Sequence, residues 1–88
     1  MPGDTAEEVI HKATRALVQD AARFTRHVAD QMNRRNVTLR DLSVALFKAT
    51  SAELQPNGTW RIKSIDGDGD DLTIVVDVRD YVRLVTVM

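Results

Sequence analysis

The side chains of this chain best suited to chemistry are one of its two histidines and the arginines that follow it. His27 precedes Asp30 by three residues and Gln31 by four, which puts all three on one side of a helix. Imidazole exchanges a proton readily near neutral pH, so His27 is a candidate general acid or base. The same position also suits a histidine that packs where a helix meets a sheet and bonds a carbonyl group.

Cations from two parts of the chain could hold a phosphate. Arg34 and Arg35 fall at the expected end of a helix, where they are either ordinary surface charges or phosphate ligands. Arg61 and Lys63 support the second interpretation, because alternating side chains put both on one face of a predicted strand. Together, these cations could bind a phosphodiester.

The charges are unevenly distributed although they nearly cancel. The formal net charge is −1, which does not by itself indicate a nucleic-acid-binding domain. Residues 23–40 hold five arginines against one aspartate, whereas residues 64–80 hold six aspartates against one arginine. We therefore expect a basic region and an acidic region on the folded domain.

Composition excludes several other chemistries. The chain has no cysteine, hence no disulfide, thiol nucleophile or thiolate metal site. Residues 66–71 resemble the start of a calcium loop, but Asp71 stands where that loop needs glycine, and strands are predicted on both sides. We expect no metal and no cofactor. No apolar run approaches the ~18 residues of a membrane span, so a cytoplasmic protein without a membrane partner is expected.

Two helices are predicted before residue 36. An apolar stripe with helical spacing begins at residue 6, where Asp4 or Thr5 can cap the first turn. The stripe continues without glycine or proline, so one helix over about 5–35 is conceivable. It would be about 45 Å long in a domain about 30 Å across. We therefore favour a break between Asp20 and Thr25, with Thr25 capping a second helix that ends near Arg35.

A third helix begins at a capping box of Thr38 and Asp41 and ends near Thr50. Apolar residues then alternate, which predicts strands. Four strands are expected to form an antiparallel meander: Ala52–Gln55, Thr59–Ile65, Leu72–Val78 and Tyr81–Val87. Tyr81 and Arg83 share a face of the last strand, so they could extend the cationic surface. The prediction is one α+β domain over residues 1–88, with a helical half (5–50) and a sheet half (51–88).

A series of short motifs runs through about residues 23–87. In chain order they are Phe24-Thr25-Arg26-His27-Val28-Ala29, Met32, Arg35, Val37-Thr38, Asp41, Ala45-Leu46, Trp60-Arg61, Leu72-Thr73-Ile74-Val75-Val76 and Val85-Thr86-Val87. This series resembles a small bacterial domain similar to the MqsR and BrnT toxins of the RelE-like ribonuclease group, with the first helix as an extension.

This resemblance implies a RelE-like fold, metal-independent cleavage of messenger RNA and inhibition by an antitoxin. It marks His27 for proton transfer and Arg35 and Arg61 for stabilising the transition-state phosphate. The implied RNA-binding residues are Arg34, Lys63, Tyr81, Arg83 and Thr86. A degenerate member of the family would bind RNA without cleaving it. The alternative is a non-enzymatic interaction module that forms a homodimer or pairs with another protein through its sheet.

Overall fold

Each of the three helices begins at a threonine. In the computed structural model, which describes residues 5–79 and 81–88, the hydroxyls of Thr5, Thr25 and Thr38 each accept a backbone N–H three residues further on. The predicted capping box of Thr38 and Asp41 is present. The helices are α1 (Ala6–Val18), α2 (Arg26–Arg35) and α3 (Leu39–Lys48). Asp4, the other cap considered for α1, lies outside the described residues.

The predicted break between the first two helices is confirmed. Asp20 adopts the left-handed conformation with φ 55°, which turns the chain out of α1. The backbone N–H groups of Ala21 and Ala22 then donate to the carbonyl of Ala16 at 2.7 and 3.1 Å, so the end of α1 stays hydrogen-bonded. At the other end of α2, Asn36 takes the same left-handed conformation, as its residue type predicts.

The sheet has five strands, one more than predicted. The strands are β1 (Arg23–Phe24), β2 (Ala52–Leu54), β3 (Trp60–Ile65), β4 (Asp71–Val78) and β5 (Val82–Val87). Their order is β1-β5-β4-β3-β2. Strands β2 to β5 form the expected antiparallel meander, but β1 pairs in parallel with β5. The expectation of a purely antiparallel four-stranded sheet is therefore wrong, because a short segment before α2 adds an edge strand.

The antiparallel meander contains a tight turn and a β-bulge. The turn between β2 and β3 uses Gly58 at φ 89°, and its N–H donates to the carbonyl of Gln55 at 2.9 Å. In β5, Thr86 pairs with Val75 while Leu84 pairs with Val76, so one residue of β5 bulges out. The predicted two-residue connection after β4 includes Asp80, which lies outside the described residues.

All three helices pack on one face of the sheet. Residues from every helix join residues of β3, β4 and β5 in one buried core. The hydroxyl of Ser64 on β3 donates to the carbonyl of Ala45 on α3 at 2.7 Å, which ties this face to the helix layer. The fully buried large side chains are Val9, Val28, Leu42, Leu46, Ile62, Leu72, Ile74, Val76, Leu84 and Val87. Within the described residues, no helix is long and apolar enough to cross a membrane.

Two neighbouring residues of α3 test which side of this helix packs on the sheet. Leu46 is buried, whereas the next residue, Phe47, is 83% exposed. We expect Leu46→Ala to lower the free energy of unfolding by about 2–5 kcal/mol, because it leaves a cavity in the core. Phe47→Ala should change it by less than about 0.5 kcal/mol. Urea denaturation of both variants measures this, and equal losses would contradict the orientation of α3.

Candidate functional site

The face of the sheet turned away from the helices is rich in cations, and we refer to it as the open face. Strand alternation assigns its residues: where Ile62, Ile74 and Leu84 enter the core, their neighbours in sequence point the other way. The open face carries Arg23, Glu53, Arg61, Lys63, Ile65, Asp71, Thr73, Val75, Asp77, Arg83 and Thr86.

Arg61 and Lys63 project from β3, as predicted. With the Gln55 amide oriented so that its nitrogen donates to Thr59, its oxygen lies 2.8 Å from Nη2 and 3.3 Å from Nε of Arg61. This contact holds the Arg61 guanidinium in place. Glu53 lies directly opposite Arg61 on β2. A shallow depression of about 310 Å³ is lined by Arg61, Lys63 and the first residues of β2.

A second group of cations lies two strands away. Arg83 of β5 pairs in register with Arg23 of β1, and the Arg23 guanidinium lies 4.8 Å from the ring centre of Tyr81. A guanidinium at this distance over an aromatic ring is attracted by the negative face of the ring. Since strands are spaced about 4.8 Å apart, this group lies roughly 10 Å from Arg61 across the sheet.

Asp77 lies between these cations and is the buried carboxylate of the open face. Its Oδ2 accepts a long hydrogen bond from Arg83 Nη2 at 3.4 Å. Its Oδ1 lies 3.0 Å from Arg79 Nε, but the contact is not aligned as a hydrogen bond, and Oδ1 accepts none from the described residues. With Arg79 included, the described open face has five cations against three carboxylates.

The structure does not bring the three expected catalytic residues together. His27 and Arg35 are exposed on α2, at opposite ends of the helix and about 12 Å apart along its axis. Helix α2 packs on β5 on the helical side of the sheet. Arg61 projects from β3 on the other side. His27 therefore neither packs at a helix–sheet junction nor faces Arg61, and Arg34, which is also exposed on α2, lies apart from the strand cations.

The remaining expected residues do share a surface. Lys63, Tyr81 and Arg83 lie on or beside the open face, and Thr86 lies opposite Val75 on it. The sequence did not predict that Arg23, Gln55 and Asp77 also contribute to the open face or contact its cations. The sequence could have indicated Asp77, because it alternates in step with Arg79, Tyr81 and Arg83. Nothing in the sequence pattern indicated Arg23, because its two-residue strand exists only through pairing with β5.

In the acidic loop between β3 and β4, an aspartate side chain bonds the backbone of the loop itself. Asp66 Oδ1 accepts the N–H groups of Asp68 and Asp70 at 2.8 and 3.0 Å, and Gly69 takes φ 86°. No cluster of residues suited to a metal ion occurs in the described part of the chain. The loop thus has the side-chain-to-backbone bonds of a turn.

Comparison of the chain with protein-family models, with curated proteins and with solved structures found no match. The fold defines an α+β protein with three helices on one face of a mixed five-stranded sheet. The likeness to the MqsR and BrnT toxins and the RelE-like fold remain predictions from the sequence.

One partly buried hydrogen bond ties α2 to β5, and its contribution can be tested. The backbone N–H of Val87 points away from β4 and donates to Gln31 Oε1 at 2.9 Å. We expect Gln31→Ala to lower the free energy of unfolding by about 1–2 kcal/mol, because it leaves this buried donor without a partner. Asn33→Ala, at an exposed position of the same helix, should leave the free energy of unfolding unchanged. Chemical denaturation compares them, and faster exchange of the Val87 amide hydrogen should accompany the first change only.

Proposed function

We propose that the protein binds single-stranded RNA on the open face of its sheet. The observation that carries this proposal is the placement of Arg23, Arg61, Lys63 and Arg83 on one face that the described helices leave uncovered. Arginine and lysine side chains neutralise phosphates, which supplies most of the sequence-independent affinity for nucleic acid. The net charge of −1 does not oppose this, because the described open face carries five cations against three carboxylates.

The geometry favours a single strand over a duplex. Two groups of cations lie roughly 10 Å apart across the sheet, and Tyr81, which is exposed beside one of them, could stack a base on the ring face that Arg23 does not cover. Bases are accessible for stacking only where they are unpaired. The choice of RNA over DNA rests on the resemblance to RNA-cleaving toxins.

The ribonuclease part of that resemblance has less support. Cleavage needs a proton acceptor within hydrogen-bonding reach of the 2′-hydroxyl group. Neither histidine projects from the open face: His11 is exposed on α1 and His27 on α2. We therefore propose an RNA-binding protein that does not use His27 to cleave its ligand. In a toxin–antitoxin pair, the antitoxin would act by covering the open face with an acidic surface.

Pairing of the sheet with another chain has less support than RNA binding. β4, the most regular strand, lies inside the sheet between β3 and β5. β5 is covered at one end by β1, and the N–H of Val87 is taken by Gln31. The edge strand β2 has only three residues. These edges offer little length for β-strand addition.

Binding should depend on the strand cations and not on those of α2. We expect the double variant Arg61→Ala/Lys63→Ala to weaken binding of a labelled single-stranded RNA. The slope of log K against log salt should also become less steep by about 1.4, since each lost phosphate contact removes about 0.7 for single strands. Arg34→Ala/Arg35→Ala removes the same charge from α2 and should leave the slope unchanged. Fluorescence anisotropy at several salt concentrations measures both.

The reverse pattern, with a changed slope only for the α2 variant, would place the binding surface on α2. Absence of RNA binding by the unmodified protein would refute the proposed function. Single-stranded DNA of the same sequence and duplex RNA complete the comparison. Equal affinity for DNA would show that the ribose is not recognised, and tighter binding of the duplex would contradict a single-strand ligand.

The fate of bound RNA should not depend on His27. We expect prolonged incubation with unstructured messenger RNA to yield the same fragments with the unmodified protein and with His27→Ala, because His27 lies outside the binding face. Gel electrophoresis of the RNA measures this. Cleavage that the His27→Ala substitution abolishes would restore His27 as the proton-transfer residue.

A further inference from the structure

The open face contains a cavity whose chemistry is more specific than phosphate binding. The cavity has a volume of about 270 Å³ and is lined by Asp77, Arg79, Tyr81 and Arg83. It therefore combines one carboxylate, two guanidinium groups and one aromatic ring. Unpaired bases of RNA are recognised by such groups, which stack on the base and bond its Watson–Crick edge.

The carboxylate in this cavity has one long hydrogen bond and one ion pair that is not aligned as a hydrogen bond. Asp77 is 9% exposed, and its Oδ1 is buried without a hydrogen-bond partner. Its Oδ2 has only the long bond to Arg83 at 3.4 Å. The 3.0 Å ion pair of Oδ1 with Arg79 Nε is not aligned as a hydrogen bond, so a well-aligned donor that enters the cavity would improve the bonding of Oδ1. The group covering Oδ1 is Arg79, whose side chain is 69% exposed and therefore can move aside.

We propose that this cavity binds a cytosine base of the RNA strand, with Asp77 Oδ1 accepting a hydrogen bond from the N4 amino group. This inference rests on the proposed RNA-binding function. A guanidinium of Arg79 or Arg83 donates to cytosine N3 and O2, which lie side by side. A carboxylate that accepts from cytosine N4 is an established form of base recognition. Tyr81, with Arg23 already 4.8 Å from its ring centre, provides the stacking surface.

The pattern of donors and acceptors distinguishes cytosine from the other bases. Uracil has the same size but presents a carbonyl oxygen where cytosine has its amino group, and this oxygen would be repelled by Oδ1. Guanine presents two adjacent donors, which pair best with both carboxylate oxygens, and it would have to share Oδ2 with Arg83. Adenine presents one donor and a single adjacent acceptor, so it leaves one guanidinium N–H without a partner.

Oligomers of cytidine and uridine of equal length test the assignment, because these bases differ in the group that faces Asp77. We expect the unmodified protein to bind oligocytidine about tenfold more tightly than oligouridine at neutral pH. An oligomer of N4,N4-dimethylcytidine cannot donate from N4 and should bind like oligouridine. Fluorescence anisotropy under identical salt conditions measures the three affinities.

Two variants locate the source of the preference. Asp77→Asn should reduce the ratio of cytidine to uridine affinity to about one, because an amide can also donate to the uracil carbonyl. Asp71→Asn makes the same charge change at an exposed position of the same strand and face, and it should keep the ratio near ten. Thermal unfolding followed by circular dichroism verifies that both variants are folded.

The outcomes separate this inference from the function on which it rests. Equal affinity of the unmodified protein for the two oligomers, or oligoadenosine bound as tightly as oligocytidine, would overturn the cytosine site while leaving RNA binding in place. A ratio that survives Asp77→Asn would also overturn it. Binding of none of these oligomers would refute RNA binding itself.

Discussion

The structure depends on covering one face of a sheet with helices and leaving the other to solvent. Three short helices suffice to bury Ile62, Ile74 and Leu84 with the rest of the core. Residues 5–79 and 81–88, which the structure describes, contain no further helix or strand on the other side. The open face must therefore consist of side chains that tolerate water, and alternation in the strands supplies them. The surface available to a ligand is thus a consequence of how the core is built.

One apolar residue of the open face is buried although no described helix covers it. This residue is Val75, which lies at the centre of the face. Arg61 stands directly opposite on β3 and Thr86 opposite on β5. The aliphatic stem of an arginine can cover an apolar neighbour while its guanidinium stays in water. The same cation thereby contributes to sheet packing and to the positive charge of the surface, so its removal should affect both.

The features that the sequence predicted correctly are local ones. Threonine caps, Asn36 at the end of α2 and alternation in β4 depend on neighbouring residues, and all were identified. Alternation also correctly joined Arg61 to Lys63. Tyr81, which was expected on the last strand with Arg83, lies one residue before β5 but lines the same cavity as Arg83. The features that the sequence did not predict depend on long-range contacts. Strand β1 forms only because it pairs with β5, some 60 residues later in the chain. The grouping of His27 and Arg35 with Arg61 failed for the same reason, since only tertiary packing decides on which side of the sheet α2 lies.

Asp77 is difficult to explain as a structural residue alone. The open-face positions before it on β4 are Thr73 and Val75, which fit the sheet without a charge. A threonine at position 77 would avoid the desolvation of a carboxylate that has one long hydrogen bond and one unaligned contact. Ion pairs with exposed arginines recover little of that cost. A ligand that donates a hydrogen bond to Oδ1 recovers more, because it fills the position that the described residues leave without a donor.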